Sequence, residues 1–389
     1  MPINYSIFPM GRGFFWGLLF ACCILRFGIV WAFVHDWLPL TIHDGWHFLY
    51  GKDYLEYFGI AKSFSQGELG SGQYPAGYPL FLTPFVFAFD ATQWMDIATP
   101  VAMAQSVFMA GGAILLLGWL GYVLTGQRVA GVIAAFSWTV IPLAAYAFFG
   151  LFGEAAQILR AINVPSLIWA RMYSEPLASM LILLAMSLWI VGDSYRLQVV
   201  GAIFVGMAFL VREDAIVFIV IGCVYWIWVK DKGWRSVLVL GAMVTAIYSI
   251  QFLYNYLLTD NPFMSPHFKQ TAAYAKEASL PQWSVENVLF LVRYTFAKPL
   301  FLLIALSCVA LSLSVLFPWK RDRFDTWFLP LALLYGYPVF YSFYGATRTD
   351  FVRFLMPVYF SLALASGALA TRIAEWWLER RREVQAFST

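Results

Sequence analysis

A chain of 389 residues with 61% hydrophobic, 19% aromatic and 12% charged residues carries about half the charge of a soluble domain, in which roughly a quarter of residues are charged. With a mean hydropathy of +0.70, this composition excludes an ordinary soluble protein and points to an all-α, polytopic membrane protein. A net charge of +3 is too small to imply a nucleic-acid partner, and Cys22, Cys23, Cys223 and Cys308 sit in apolar runs with neither metal nor disulfide spacing.

Arg12 precedes an apolar run from Phe14 to Val34. At about twenty residues it is long enough to cross a bilayer and too long for a signal-peptide core, so a retained first span is predicted at 14–35. The first outer loop, 36–98, opens with His43-Asp44-Gly45-Trp46-His47. Two histidines spaced i, i+4 bind a metal together only on a helix, which Gly45 disfavours. A polar loop whose Asp44 touches substrate is the expectation; no cofactor is expected and a divalent metal is not indicated.

The next run is the most informative. Tyr54, Tyr57, Phe58, Ala61 and Phe64 recur at i, i+3, i+4, i+7 and i+10, one stripe of an α-helix. Lys52, Asp53, Glu56, Gly59, Lys62 and Gln66 fall on the other side. The pattern predicts an amphipathic interfacial helix, apolar face on the bilayer and carboxylates toward water, stopped by Gln66-Gly67. Tyr74-Pro75-Ala76-Gly77-Tyr78-Pro79 follows, and 78–89 reads as a dipping or juxtamembrane segment.

Further spans are predicted near 99–122, 129–149, 174–192, 197–211, 214–229, 235–257, 299–317, 326–345 and 353–372, making about ten with the first. Those at 197–211 and 214–229 are short enough to form a broken hairpin. The whole chain, 1–389, reads as one membrane domain with a second outer loop at 258–298 and a tail at 373–389. Arg128, Arg196, Lys230, Lys232, Arg235, Lys320, Arg321 and Arg323 mark the short connections of one side, and Arg372 and Arg380 to Arg382 the tail. The positive-inside rule assigns that side to the cytoplasm. Most acids, with both long loops, then face outward.

Ionisable residues at span ends are expensive and default to functional hypotheses. Glu175 opens one span, Arg212 sits at the tip of the short hairpin and Arg353 starts the last span; in this topology they converge with Asp53 and Asp44 at the outer surface. An interfacial carboxylate can act as general base, and a guanidinium can hold a phosphate and stabilise it as it leaves. Blander readings exist for each: a first-turn acid favoured by the helix dipole for Asp53 and Glu175, and snorkelling to headgroups for the arginines.

Four local motifs, in order, make the chain resemble the GT-C superfamily of integral-membrane glycosyltransferases. It is most similar to bacterial relatives of protein mannosyltransferases and of the lipid A aminoarabinose transferase. The motifs are Asp53-x-x-Glu56-Tyr57 with Tyr74-Pro75-x-Gly77-Tyr78-Pro79-Leu80, Ser174-Glu175-Pro176-Leu177, Leu210-Val211-Arg212-Glu213, and Arg353-Phe354-Leu355-Met356-Pro357. Glu213 stands where that family usually has proline. The resemblance implies a polyprenyl-phosphate-sugar donor and an inverting transfer to a lipid, glycan or protein acceptor on the extracytoplasmic face of a membrane, here a bacterial inner membrane. By match, Asp53 takes the place of the general base, Arg212 and Arg353 would contact the donor phosphate, and Glu175 sits where the family often has an acid near the site. Glu56, Tyr57, Tyr74 and Tyr78, which belong to the first-loop motif, are expected among the substrate contacts. In the second outer loop His267 and Lys269 stand among residues suited to gripping an acceptor or covering the donor head group.

The competing reading is a transporter of lipid or solute. Inverted repeats and ionisable residues near the bilayer midplane would mark one; here no repeat is visible and the acids gather at one interface. A non-catalytic scaffold is a third reading.

Overall fold

The computed structural model describes residues 10–38, 43–44, 47–48, 53–70, 72, 74–150, 169, 173–264, 309, 312–313, 321–344 and 356–387. Arg353, His267, Lys269, most of the second outer loop and nearly all of the expected span 299–317 lie outside them.

Apolar runs fold into α-helices because a bilayer offers no partner for backbone polar groups, which a helix satisfies internally. The first is α1 (Arg12–Val34). A two-residue antiparallel pair, β1 (His43–Asp44) and β2 (His47–Phe48), sets Asp44 opposite His47. Next come α2 (Asp53–Ser65) and α3 (Gly77–Ala88). Then α4 (Met95–Met103) continues through a π-helical turn at Ala104–Met109 into α5 (Ala110–Thr125), and α6 (Arg128–Gly150) follows.

After α7 (Ser174–Val191) and α8 (Tyr195–Val211) the expected broken hairpin is present: Arg212 is extended, Glu213–Ala215 forms a 3₁₀ turn, and α9 (Ile216–Val224) runs on into a π-helical turn at Tyr225–Val229. The remaining helices are α10 (Trp234–Thr259), α11 (Arg321–Tyr344) and α12 (Met356–Phe387). The last absorbs most of the expected tail into one continuous helix, with Arg380 and Arg381 over the rings of Trp376 and Trp377.

The protein is thus a helical, polytopic membrane protein. Five of the described helical stretches are long and apolar enough to cross a bilayer: Arg12–Val34, Met95–Thr125, Ser174–Val191, Trp234–Thr259 and Met356–Arg381. Large apolar side chains such as Phe14, Ile24, Phe108, Trp228 and Leu253 point outward, as a lipid-facing surface requires. Inside, small residues let helices approach closely: a side chain on Gly131 of α6 would run into the backbone of Gly118 of α5.

The first loop departs from expectation in what covers it. α2 begins and ends as its pattern predicts, with Gly67 in the left-handed conformation (φ 76°) just beyond it. Its stripe, however, turns to protein rather than lipid. Tyr57, Phe58 and Ala61 join the main hydrophobic core, and α2 packs along α3. Ile60, off the stripe, is buried as well: it meets Ala76 of the first loop and Tyr254 of α10, whose hydroxyl donates 2.7 Å to the Gly70 carbonyl.

Gly77 fixes this loop to the hairpin. A Cβ there would lie 2.5 Å from the carbonyl carbon and oxygen of Leu210, so only glycine lets the first turn of α3 rest on the last turn of α8. A second tie runs from the Ala76 N–H to Gln251 Oε1 of α10 at 2.8 Å.

Candidate active site

Three chain segments meet beside the hairpin tip. α7 begins at Ser174 after an extended Tyr173, and Pro176 sits in its first turn, where a missing N–H costs nothing. Glu175, in the same turn, is favoured by the positive end of the helix dipole and is buried, its side chain 3% exposed. The end of α8 supplies Arg212, whose extended backbone ends the helix with its N–H still bonded to Ala208 at 2.8 Å. Three consecutive charged residues, Arg212 to Asp214, interrupt two apolar runs here, which is why the chain breaks instead of forming one long helix.

The guanidinium of Arg212 is the hub. Its Nη1 lies 2.8 Å from Glu175 Oε1 and donates to Ser174 Oγ at 3.3 Å. Its Nε donates to both Asp214 oxygens at 3.2 Å, and Nη2 is 3.2 Å from Asp214 Oδ2. A small open cleft lies against this group, lined by Glu175, Ser179, Arg212, Asp214, Tyr337 of α11 and Met356 of α12, with Ala178, Ile182 and Pro357.

A chain of contacts joins the cleft to the first loop. Tyr57 and Ser174 share a hydrogen bond of 3.0 Å. The Tyr57 ring packs on Tyr74 at 4.5 Å and edge-on to Tyr78 at 4.8 Å. Tyr74 donates its phenolic hydrogen to Asp53. Burial, reinforced by the charge of Glu175, pushes the Tyr57 phenol far above its ordinary range, and burial with the charge of Asp53 does the same to Tyr74. Both therefore stay neutral hydrogen-bond donors at physiological pH. Behind them Gln105, fully buried in the π-helical turn, donates to the Tyr78 hydroxyl at 2.9 Å and to the Tyr173 carbonyl at 3.1 Å.

Of the residues expected from sequence, Glu175 and Arg212 are in direct contact, Tyr57, Tyr74 and Tyr78 form the aromatic link, and Asp53 sits at its far end, partly exposed and outside the cleft lining. Glu56 is exposed on the outer side of α2, close enough for its charge to act on Tyr74. Asp44 belongs to the antiparallel pair, which replaces the helix that a two-histidine metal site would need. Sequence reasoning assigned no role to Ser174, Asp214, Gln105 or Tyr337. Asp214 carries a legible signal, as the third charge of a cluster between two apolar runs; Tyr337 is one aromatic among many in α11. No group of three or more His, Cys, Asp or Glu suited to a metal occurs among the described residues.

Solved structures supply the comparison. The chain is similar to the apo oligosaccharyltransferase of Archaeoglobus fulgidus, at a TM-score of 0.57 and 13% identity over 96% of this chain and 52% of that one. It is similar also to the oligosaccharyltransferase AglB of the same organism in complex with an inhibitory peptide and a dolichol-phosphate (TM-score 0.53, 14% identity, 95% and 52% covered). A third match is ArnT from Cupriavidus metallidurans bound to undecaprenyl phosphate (TM-score 0.52, 17% identity, 92% and 60% covered). The fold is GT-C-like.

The chain spans 52% to 60% of the length of these structures. No family model and no curated protein matches the sequence. In this GT-C-like fold the Arg212 cleft and the first-loop tyrosines bring ionisable groups together.

Proposed function

We propose that the protein is a glycosyltransferase that moves a sugar from a polyprenyl-phosphate-linked donor to a lipid, glycan or protein acceptor, with inversion at the anomeric carbon. The observation that carries this reading is the linkage of Arg212, in an open cleft, to Asp53 of the first loop through Ser174, Tyr57 and Tyr74, inside a GT-C-like fold. The donor's prenyl tail lies in the bilayer and its phosphate enters the cleft. Asp53 takes the acceptor's proton as the acceptor attacks the anomeric carbon from the face opposite the phosphate. The C–O bond to phosphate breaks, and Arg212 offsets the negative charge that develops on the leaving group. Glu175, Tyr57, Tyr74 and Tyr78 shape the site between them. Asp44, Glu56, Arg353, His267 and Lys269 are proposed as further substrate contacts, and no cofactor is invoked. The short basic connections support a cleft on the extracytoplasmic side of an inner membrane.

The test is a donor screen on purified protein in lipid, wild type beside Asp53→Asn, following release of polyprenyl phosphate from several polyprenyl-phosphate sugars with and without acceptors. Cleavage by the wild type and not by the variant is the expected result. A folded wild type that consumes no donor would move the reading to a transporter or scaffold.

A further inference from the structure

Arg212 is already engaged on both edges of its fork, by Asp214 along Nε and Nη2 and by Glu175 at Nη1. Among the described residues the cleft therefore holds one cation against two carboxylates. The two acids differ in their access to water. Asp214 is 13% exposed at the rim, whereas Glu175, in the first turn of α7, is 3% exposed. A phosphodiester entering the cleft brings a further negative charge to a poorly hydrated place, where like charges repel strongly. Asp214 has the wider access to solvent, and Glu175 reaches it only through the cleft.

We infer that binding of an anionic lipid phosphodiester in this cleft is coupled to uptake of one proton by Glu175. The phosphate takes over N–H groups of Arg212, a proton from bulk solvent converts the Glu175 carboxylate to the neutral acid, and departure of the phosphate returns the proton. The inference rests on the cleft being the donor-phosphate site. Among the described residues the groups facing Glu175 are Arg212 and Asp214 from the hairpin tip, Tyr57 from α2, Tyr78 from α3, Tyr173 and Ser174 beside it and Tyr337 from α11, while α12 presents Met356 and Pro357, which do not titrate. Arginine stays charged, and the phenols are already neutral. Glu175 is thus the buried group with a charge to give up.

A polyprenyl methyl phosphodiester is the probe, because it carries a single negative charge across the working range and its own titration contributes nothing. Its affinity for purified protein in neutral lipid is measured from pH 5.5 to 8.5 for the wild type, Glu175→Gln and Asp214→Asn. The wild-type Kd is expected to rise by roughly tenfold per pH unit, the slope for one linked proton. Glu175→Gln, an isosteric mimic of the neutral acid, is expected to bind at the tight level at every pH, and Asp214→Asn to keep the wild-type slope. Calorimetry of the wild type in two buffers of different ionisation heat is expected to read one proton taken up. A flat wild-type profile, no proton uptake, or an undiminished slope in Glu175→Gln overturns the inference. Failure of the probe to bind the wild type at any pH, or binding indifferent to Arg212→Gln, overturns the proposed site itself.

Discussion

Tyr57 and Ser174, 117 residues apart, share a 3.0 Å hydrogen bond that ties the first loop to the start of α7. Ser174 Oγ also accepts from Arg212, so one hydroxyl stands between the aromatic link and the guanidinium. Tyr57→Phe removes this bond while keeping the ring contacts with Tyr74 and Tyr78. A stability loss of about 1 kcal/mol is expected, the net worth of one such bond. Turnover should fall by about tenfold, equivalent to roughly 1.4 kcal/mol of lost positioning. Unfolding in detergent and initial rates check the two numbers separately, and unchanged turnover would detach Tyr57 from the site.

Asp53 holds a hydrogen bond from Tyr74 and is partly open to water, a placement suited to accepting a proton from an incoming acceptor. Asp53→Asn keeps shape and hydrogen-bonding capacity and removes basicity. Turnover is expected to drop by about 10²–10⁴-fold, the usual contribution of a general base, with an unfolding temperature close to wild type. A loss smaller than about tenfold would assign the proton transfer elsewhere.

Arg212 and Glu175 form an ion pair whose acid side is almost fully buried. Removing one partner of a buried pair costs about 3–5 kcal/mol because the other charge is stranded. Since Arg212 is itself 17% exposed, Arg212→Met is expected near the lower end of that range. The double variant Arg212→Met, Glu175→Gln should regain much of the stability and none of the activity. Chemical unfolding of the single and double variants measures the coupling; strictly additive losses would mean that the pair does not act as a unit.

Much of this arrangement is legible in the sequence, and the part that is not has a common cause. Hydropathy and charge locate the hairpin break at Arg212, since three successive charges cannot sit in a continuous apolar helix. Period locates α2, and the four motifs indicate the fold. What a one-dimensional pattern does not contain is which surface covers a stripe. Tyr57 and Phe58 read as lipid-facing, yet they meet Tyr74, Tyr78 and the core because Gly77 seats α3 on Leu210. Ile60 lies off the stripe and is buried because the chain returns over it at Gly70 and Gly72. Tyr337 and Met356 reach the cleft only through the placement of α11 and α12, a tertiary event without a local signature.

Gly77 is accordingly a position where a small change has a defined consequence. Gly77→Ala places a Cβ 2.5 Å from the Leu210 carbonyl, and backbone has to move to relieve it. Overpacking of this kind costs about 1–3 kcal/mol. Because the strain falls between the first loop and the residues just before Arg212, donor affinity should weaken along with stability. Donor titration at a temperature where the variant is fully folded separates the two effects; normal affinity there would show that the α3–α8 contact does not position the site.

The tyrosine link also sets an alkaline limit. Burial raises the phenols of Tyr57 and Tyr74 in the folded protein, Tyr57 further under the charge of Glu175 and Tyr74 under that of Asp53. In the unfolded chain each titrates near the ordinary value of about 10. Above that pH the unfolded state releases protons that the folded state retains, so stability declines as pH rises. Below it neither state ionises, and the tyrosines leave stability independent of pH. Unfolding temperature is therefore expected to be level between pH 7 and 9 as far as these groups are concerned and to fall beyond about pH 10, with Tyr57→Phe and Tyr74→Phe each making the fall shallower. Thermal scans of the three proteins from pH 8 to 11 provide the comparison. A decline as steep in both variants as in the wild type would trace the alkaline limit to other groups.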